Sequence, residues 1–173
     1  MDYQLVPFYF DSPLLIAAVK VYTHVWTYRL FGESVEFFQS NALRPDFYGY
    51  VIQAAGQTVG MGFGTKSEPG QWWHNKVAEK VGSQHPALQN AWVLVELAIL
   101  PKYRDRGLGL RVQNALLDAQ PYPNALLSTQ TDNEGARRFY ERHGWTYLHP
   151  GFAFFDGHPA FCIMHKHLPE KVT

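Results

Sequence analysis

Leu97-Ala-Ile-Leu-Pro-Lys-Tyr-Arg104-Asp-Arg-Gly107-Leu-Gly109-Leu-Arg111 runs from apolar sequence through a basic, glycine-bearing turn into a helix. Such a turn leaves backbone N–H groups without partners at the helix start. Gly107 and Gly109 remove Cβ atoms where a ligand must approach the main chain, and the helix N-terminus adds partial positive charge. Arg104, Arg106 and Arg111 contribute full charges, so the stretch reads as a phosphate or pyrophosphate receptor. It is not a P-loop, because no Gly-Lys-Ser/Thr follows. Two glycines at this spacing also do not make a dinucleotide fingerprint.

Outward from the loop the pattern is strand, helix, strand, helix. Trp92 to Leu100 is nearly continuous apolar sequence, as in a central strand covered on both faces, and Pro101 stops it. Leu108, Val112, Ala115, Leu116 and Ala119 recur at helical spacing until Pro121, and Ala125 to Thr129 reads as a second buried strand. Asp132 or Asn133 can cap a helix carrying Ala136, Phe139, Tyr140 and His143, with Gly144 as its stop. Trp145 to Phe155 and Pro159 to His167 read as two final strands joined at Asp156-Gly157.

The N-terminal side is read more coarsely. Ser12-Pro13 followed by Leu14, Leu15, Ala18, Val19, Tyr22, Val25 and Trp26 predicts a helix from about 13 to about 30. Gly32-Glu33-Ser34 then breaks the pattern, and Ser34 caps a second short helix that ends before Arg44-Pro45. Phe47 to Ala54 and Thr58 to Gly64 predict a hairpin, with glycines at 60, 62 and 64 leaving one strand face bare. Trp72, Trp73, Val77, Ala78 and Val81 fit a helix of two or three turns. The order is helices, hairpin, then strand-helix-strand-helix-strand-strand. It predicts an α/β fold with a mixed sheet, in one domain over 1–173.

Two segments in this order resemble a known family. Arg104-x-x-Gly107-x-Gly109 after an apolar strand resembles the acetyl-CoA pyrophosphate loop of the GNAT superfamily of N-acetyltransferases. Asn133-Glu-Gly-Ala136-Arg-Arg-Phe139-Tyr140-Glu-Arg-His-Gly144-Trp145 is similar to that family's following motif, in which an asparagine opens the helix and an aromatic precedes a Gly-aromatic pair. The two motifs cover 92–147, and the N-terminal half agrees in layout only. The resemblance implies that backbone N–H groups of Arg106, Gly107, Leu108, Gly109 and Leu110 hold the pyrophosphate, with Arg104 beside it. It further implies that main-chain groups of Ala98 and Ile99 bond the pantetheine arm in strand fashion, that Asn133 meets the cofactor near the thioester, and that Tyr140 is the general acid. The sequence departs from the family at Asp105, where a small residue or glycine is common, and at Glu134-Gly135.

Acetyl transfer from a thioester to an amine needs a neutral amine, a hold on the oxyanion and a proton for the thiolate. Glu96 lies inside an apolar run, where desolvation raises a carboxylate's pKa and suits it to act as base. A structural acid that pairs with an arginine or caps a neighbouring element explains the same residue. On periodicity alone Tyr140 is a core residue with its hydroxyl at the edge, and Asn133 is an N-cap. Trp72 and Trp73 read either as a wall of the acceptor pocket or as a helix packed on the sheet. Arg137, Arg138 and Arg142 read as a solvated helix face, with Arg137 able to reach the cofactor phosphates.

Composition trims the remaining classes. Of 173 residues, 46% are hydrophobic, and 15 Lys+Arg balance 15 Asp+Glu, so no net field draws the chain to nucleic acid or an anionic membrane. The single Cys162 excludes an intramolecular disulfide framework and fits a reducing cytoplasm, and within its apolar β-run it reads as a small hydrophobe. The start Met1-Asp2-Tyr3-Gln4 shows no basic leader, and no segment reads as membrane-spanning. His165 and His167 share one side of a strand but fix no third ligand, so no metal is expected. His74, His85, His143, His149 and His158 read as loop or element-end residues. Aromatics make up 16% of the chain, more than a small core needs, so some rings are expected to line a cleft. The reading is an acetyl-CoA-dependent N-acetyltransferase acting on a primary amine of a small molecule or peptide, with homodimer formation open. The alternative is a non-catalytic acyl-CoA-binding sensor, which needs the loop but not Glu96 or Tyr140.

Overall fold

Ser12 opens the first helix as its sequence requires: the hydroxyl accepts from the Leu14 amide at 3.1 Å, and Pro13 fills the first helical position. The computed structural model describes residues 1–171. In chain order the elements are β1 (Tyr3–Pro7), α1 (Pro13–Val25), α2 (Phe31–Ala42), β2 (Tyr48–Ala54), β3 (Gln57–Ser67), α3 (Trp72–Val81), β4 (Ala91–Ile99), α4 (Leu108–Ala119), β5 (Asn124–Gln130), α5 (Glu134–Arg142), β6 (Thr146–Ala153) and β7 (Ala160–His167). One-turn 3-10 helices lie at Pro86–Leu88 and Pro101–Tyr103. The seven strands form one mixed sheet in the order β1-β2-β3-β4-β5-β7-β6. The chain sorts into two compact units: Met1–Lys66 with Leu94–Gln120, and Ser67–Val93 with the described residues from Pro121 on.

In the first unit, α1 turns Leu15, Ala18, Val19 and Tyr22 onto Phe38 of α2 and onto Val51, Met61, Phe63 and Ala98 of the strands. Many rings that composition alone suggested for a cleft are core here, with Phe38 and Phe63 edge-to-face at 4.8 Å. Gly60 and Gly62 leave one face of β3 bare, and other groups fill that space. A Cβ on Gly62 would stand 2.7 Å from Val112 Cγ1 of α4 and 3.2 Å from the Glu96 carbonyl. That close approach fixes where α4 lies on the strands of this unit.

Three N-terminal expectations need correction. The first helix ends at Val25, short of 30, because residues 27–30 are exposed and a further turn would bury nothing. The second begins at Phe31, so Gly32 lies inside it. Ser34 is no cap: its buried hydroxyl donates to the Leu30 carbonyl one turn back at 2.7 Å. A strand also precedes the helices. β1 pairs antiparallel with β2, Tyr3 opposite Ala54 through Pro7 opposite Tyr50, and a five-residue strand whose partner lies some fifty positions away leaves no local signal.

The second unit packs Val77 of α3 against Ala87, Leu88, Ala91, Leu126 and Ile163, with Trp73, Ala78 and Val81 around them. β5 and β7 pair antiparallel from Asn124↔His167 to Gln130↔Phe161, and β6 pairs with the other side of β7. β4 pairs parallel with β5 over Ala91–Val93, opposite Asn124–Leu126. His74 lies at an element end, in the first turn of α3, 3% exposed, with Nδ1 2.9 Å from the Ser67 hydroxyl, and burial lowers its pKa while Glu68 raises it. His165 and His167 both reach Asn124 Oδ1, at 2.8 and 3.5 Å. Among the described residues no group of three His, Cys, Asp or Glu could hold a metal. Cys162 is buried, its Sγ donates to the Thr129 carbonyl, and burial pushes the thiol up.

Candidate functional site

The loop between β4 and α4 is built around Gly107, which caps α4 in the left-handed conformation at φ 72° with no side-chain cap. The first helical bond there is from the Arg111 amide to the Gly107 carbonyl, 3.1 Å. Among the described residues, the backbone N–H groups of Arg106, Gly107, Leu108, Gly109 and Leu110 donate no hydrogen bond. Five consecutive amides at a helix N-terminus form an anion receptor. Asp105, where glycine is common in the family the loop resembles, also takes a left-handed φ of 59°, strained for a residue with a side chain.

Each loop arginine is anchored by protein. Arg104 Nε donates to the Ile99 carbonyl at 3.1 Å, Arg106 Nη1 to the Tyr3 hydroxyl at 3.0 Å, and Arg111 Nη2 to the Tyr3 carbonyl at 3.1 Å. Arg106 and Lys102 both lie against the Tyr103 ring, each 5.8 Å from its centre. None of the three arginines has a carboxylate partner among the described residues. The arrangement holds concentrated positive charge with most guanidinium donors unused.

On β4 of the same unit, Glu96 is half-buried and its carboxylate makes no hydrogen bond or ion pair among the described residues. Loss of water raises its pKa from 4.5 to about 8, while Arg29 pulls the other way. Among the described residues Glu96 forms no ion pair with an arginine. Tyr22 of α1 is raised first by burial and then by the charge of Glu96. No local signal marks Arg29, in the turn after α1, as an influence on Glu96. That turn exposes Tyr28 and Leu30, the start of α2 exposes Phe31, and Arg29 lies over the Tyr28 ring at 5.1 Å.

In the second unit Asn133 caps α5, its Oδ1 accepting from the Ala136 amide at 3.2 Å. Tyr140 is 9% exposed and packs edge-on against Phe139 and Trp145. Arg137 is occupied within its unit: Nη1 donates to the Thr131 carbonyl at 2.7 Å and Nε to the Tyr147 hydroxyl, which in turn donates to Glu141. These bonds use Nη1 and Nε and leave its other donors unused among the described residues. Arg138 pairs with Glu134 on the exposed face, as expected. The two tryptophans part company. Trp73 packs inward with Nε1 donating to Ser128 at 3.2 Å, whereas Trp72 is 48% exposed and stacks on Phe155 at 5.1 Å. Thus Glu96, Ala98, Ile99 and the loop from Arg104 to Leu110 gather in the first unit, and Asn133, Tyr140, Trp72 and Trp73 lie in the second.

A family model for the acetyltransferase (GNAT) family matches residues 17–145. The chain belongs to the GNAT family. Within it, a GCN5-like protein acetyltransferase of Mycobacterium tuberculosis, Rv2170, is 35% identical over 121 residues, 64% of this chain and 59% of that protein. The chain thus spans about 59% of the length of that relative. Among solved structures, a GNAT-family acetyltransferase described as putative from Desulfovibrio desulfuricans superimposes with TM-score 0.70 at 13% identity, covering 96% of this chain and 99% of that one. The ribosomal-protein-S18-alanine N-acetyltransferase of Escherichia coli gives 0.69 at 16%, covering 99% and 97%. These two likenesses show a shared GNAT fold. The family transfers acyl groups from acetyl-CoA, and the free amides and unpaired guanidiniums of the loop fit that donor's phosphates. Among the described residues no helix is long and apolar enough to cross a membrane.

Proposed function

We propose that this chain is a single-domain N-acetyltransferase over 1–173 that moves acetyl from acetyl-CoA to a primary amine by direct attack in a ternary complex. The five free amides from Arg106 to Leu110 hold the pyrophosphate, with the Arg104 guanidinium beside it. Main-chain groups of Ala98 and Ile99 bond the pantetheine arm as a strand would, and the register between β4 and β5, which runs only over Ala91–Val93, is consistent with that use. The Ile99 carbonyl already accepts from Arg104, so it offers its second lone pair. Asn133, whose Oδ1 is committed to the cap, retains its amide N–H groups for the donor near the thioester.

The observation that carries the amine reading is Glu96. A carboxyl with no fixed partner and a pKa of about 8 is matched to taking a proton from an ammonium near neutral pH. Tyr140 protonates the departing thiolate, a group of comparable basicity to a phenol. The acceptor is a small molecule or peptide with an apolar part, which the exposed Trp72–Phe155 stack would contact. The test is acetyl-CoA-dependent thiol release across amines and peptides, with the product identified as an amide by mass spectrometry. Tight acetyl-CoA binding with no acceptor turned over would replace this reading with a non-catalytic acyl-CoA binder.

A further inference from the structure

We propose that the first strand belongs to the donor site, with Tyr3 a positioning residue that sets the guanidiniums of Arg106 and Arg111 for the phosphates of acetyl-CoA. This rests on the reading of the loop as the acetyl-CoA site. Tyr3 makes two bonds that straddle Gly107 in sequence: its hydroxyl accepts from Arg106 Nη1 at 3.0 Å and its carbonyl from Arg111 Nη2 at 3.1 Å. Tyr3 is itself fixed, since it pairs opposite Ala54 in the β1–β2 ladder. One residue more than a hundred positions from the loop therefore orders two of its arginines. Their rotamer freedom is lost on folding rather than on binding, which favours the ligand.

The charge around these side chains points the same way. Arg106 and Lys102 crowd one ring, that of Tyr103, at 5.8 Å each. Neither guanidinium held by Tyr3 has an acidic partner among the described residues. Like charges held close without a counter-ion in the protein are relieved by a bound polyanion. Arg106 uses Nη1 on Tyr3 and Nη2 on the Lys102 carbonyl at 3.5 Å, and Arg111 uses one Nη, so each keeps donors for phosphate oxygens.

Isothermal titration of acetyl-CoA into wild type, Tyr3→Phe, Arg106→Gln and the double variant tests this. Tyr3→Phe keeps the ring and the carbonyl bond to Arg111 and removes only the acceptor for Arg106. The expected result is a Kd raised roughly 3- to 10-fold, with KM for acetyl-CoA raised in step and the rate recovered at saturating donor. In the double variant the losses should not multiply, because both changes break one link. Unchanged Kd in Tyr3→Phe, or penalties that multiply, overturns the role of Tyr3 while leaving the donor site standing. Failure of wild type to bind acetyl-CoA overturns the donor-site reading itself.

Discussion

Replacing Glu96 by Gln should make the protein more stable at neutral and alkaline pH, a gain that grows with pH. The folded carboxyl keeps its proton up to about 8, whereas the unfolded one releases it near 4.5. Stability from this group is therefore full below 4.5 and drains away as pH climbs towards 8. At about 1.36 kcal/mol per pH unit, the span from 4.5 to about 8 sets a ceiling of about 5 kcal/mol. Because Glu96 is only half-buried, relaxation and water reduce the realised effect to about 2–4 kcal/mol. Glutamine has nearly the same shape and cannot ionise, so it removes the decline. Urea denaturation of both proteins at intervals between pH 4.5 and 8.5 measures the effect. The curves should nearly meet at the acid end and separate steadily towards pH 8. Parallel curves would mean that Glu96 ionises normally in the fold, and the case for it as base would fall with them. The rates give an independent arm: the carboxyl is deprotonated only as pH nears about 8, so the deficit of Glu96→Gln should be largest around that pH. It should shrink at acid pH, where Glu96 is itself protonated, and at higher pH, where the amine loses its proton unaided.

Gly107→Asp should abolish acetyl-CoA binding in calorimetry, because it sets a carboxylate among the free amides, while the apo protein loses only about 1 kcal/mol to the left-handed backbone. Asp105→Gly should instead stabilise by about 1 kcal/mol, read as a higher urea midpoint, since φ 59° costs a glycine nothing. Tyr140→Phe should keep the ring packing against Phe139 and Trp145 and the Kd for acetyl-CoA, yet lower kcat by roughly 10²-fold or more; a normal rate would return Tyr140 to the core. Gly62→Ala should cost about 1–3 kcal/mol in urea denaturation, because the added methyl meets Val112 at 2.7 Å.

The β4–loop–α4 segment and the capped helix α5 were legible from sequence because their signals are local. A continuous apolar strand, a proline stop, glycine at a left-handed cap and asparagine at an N-cap each act within a few residues. The position of Glu96 inside that strand was legible for the same reason. What tertiary structure decided depends on distant partners. β1 exists because residues near 50 pair with it, and Ser34 bonds the preceding turn because its site is buried rather than open. Trp72 and Trp73 are chemically identical neighbours, and only packing on Ser128 or stacking on Phe155 distinguishes them. The pKa of Glu96 needed the surroundings that exclude water from it, and the hold of Tyr3 on Arg106 needed an edge strand to meet a loop a hundred residues later. Sequence alone determined the local conformation that one turn or one strand can encode, whereas desolvation and long-range hydrogen bonding arise only once the chain has folded back on itself.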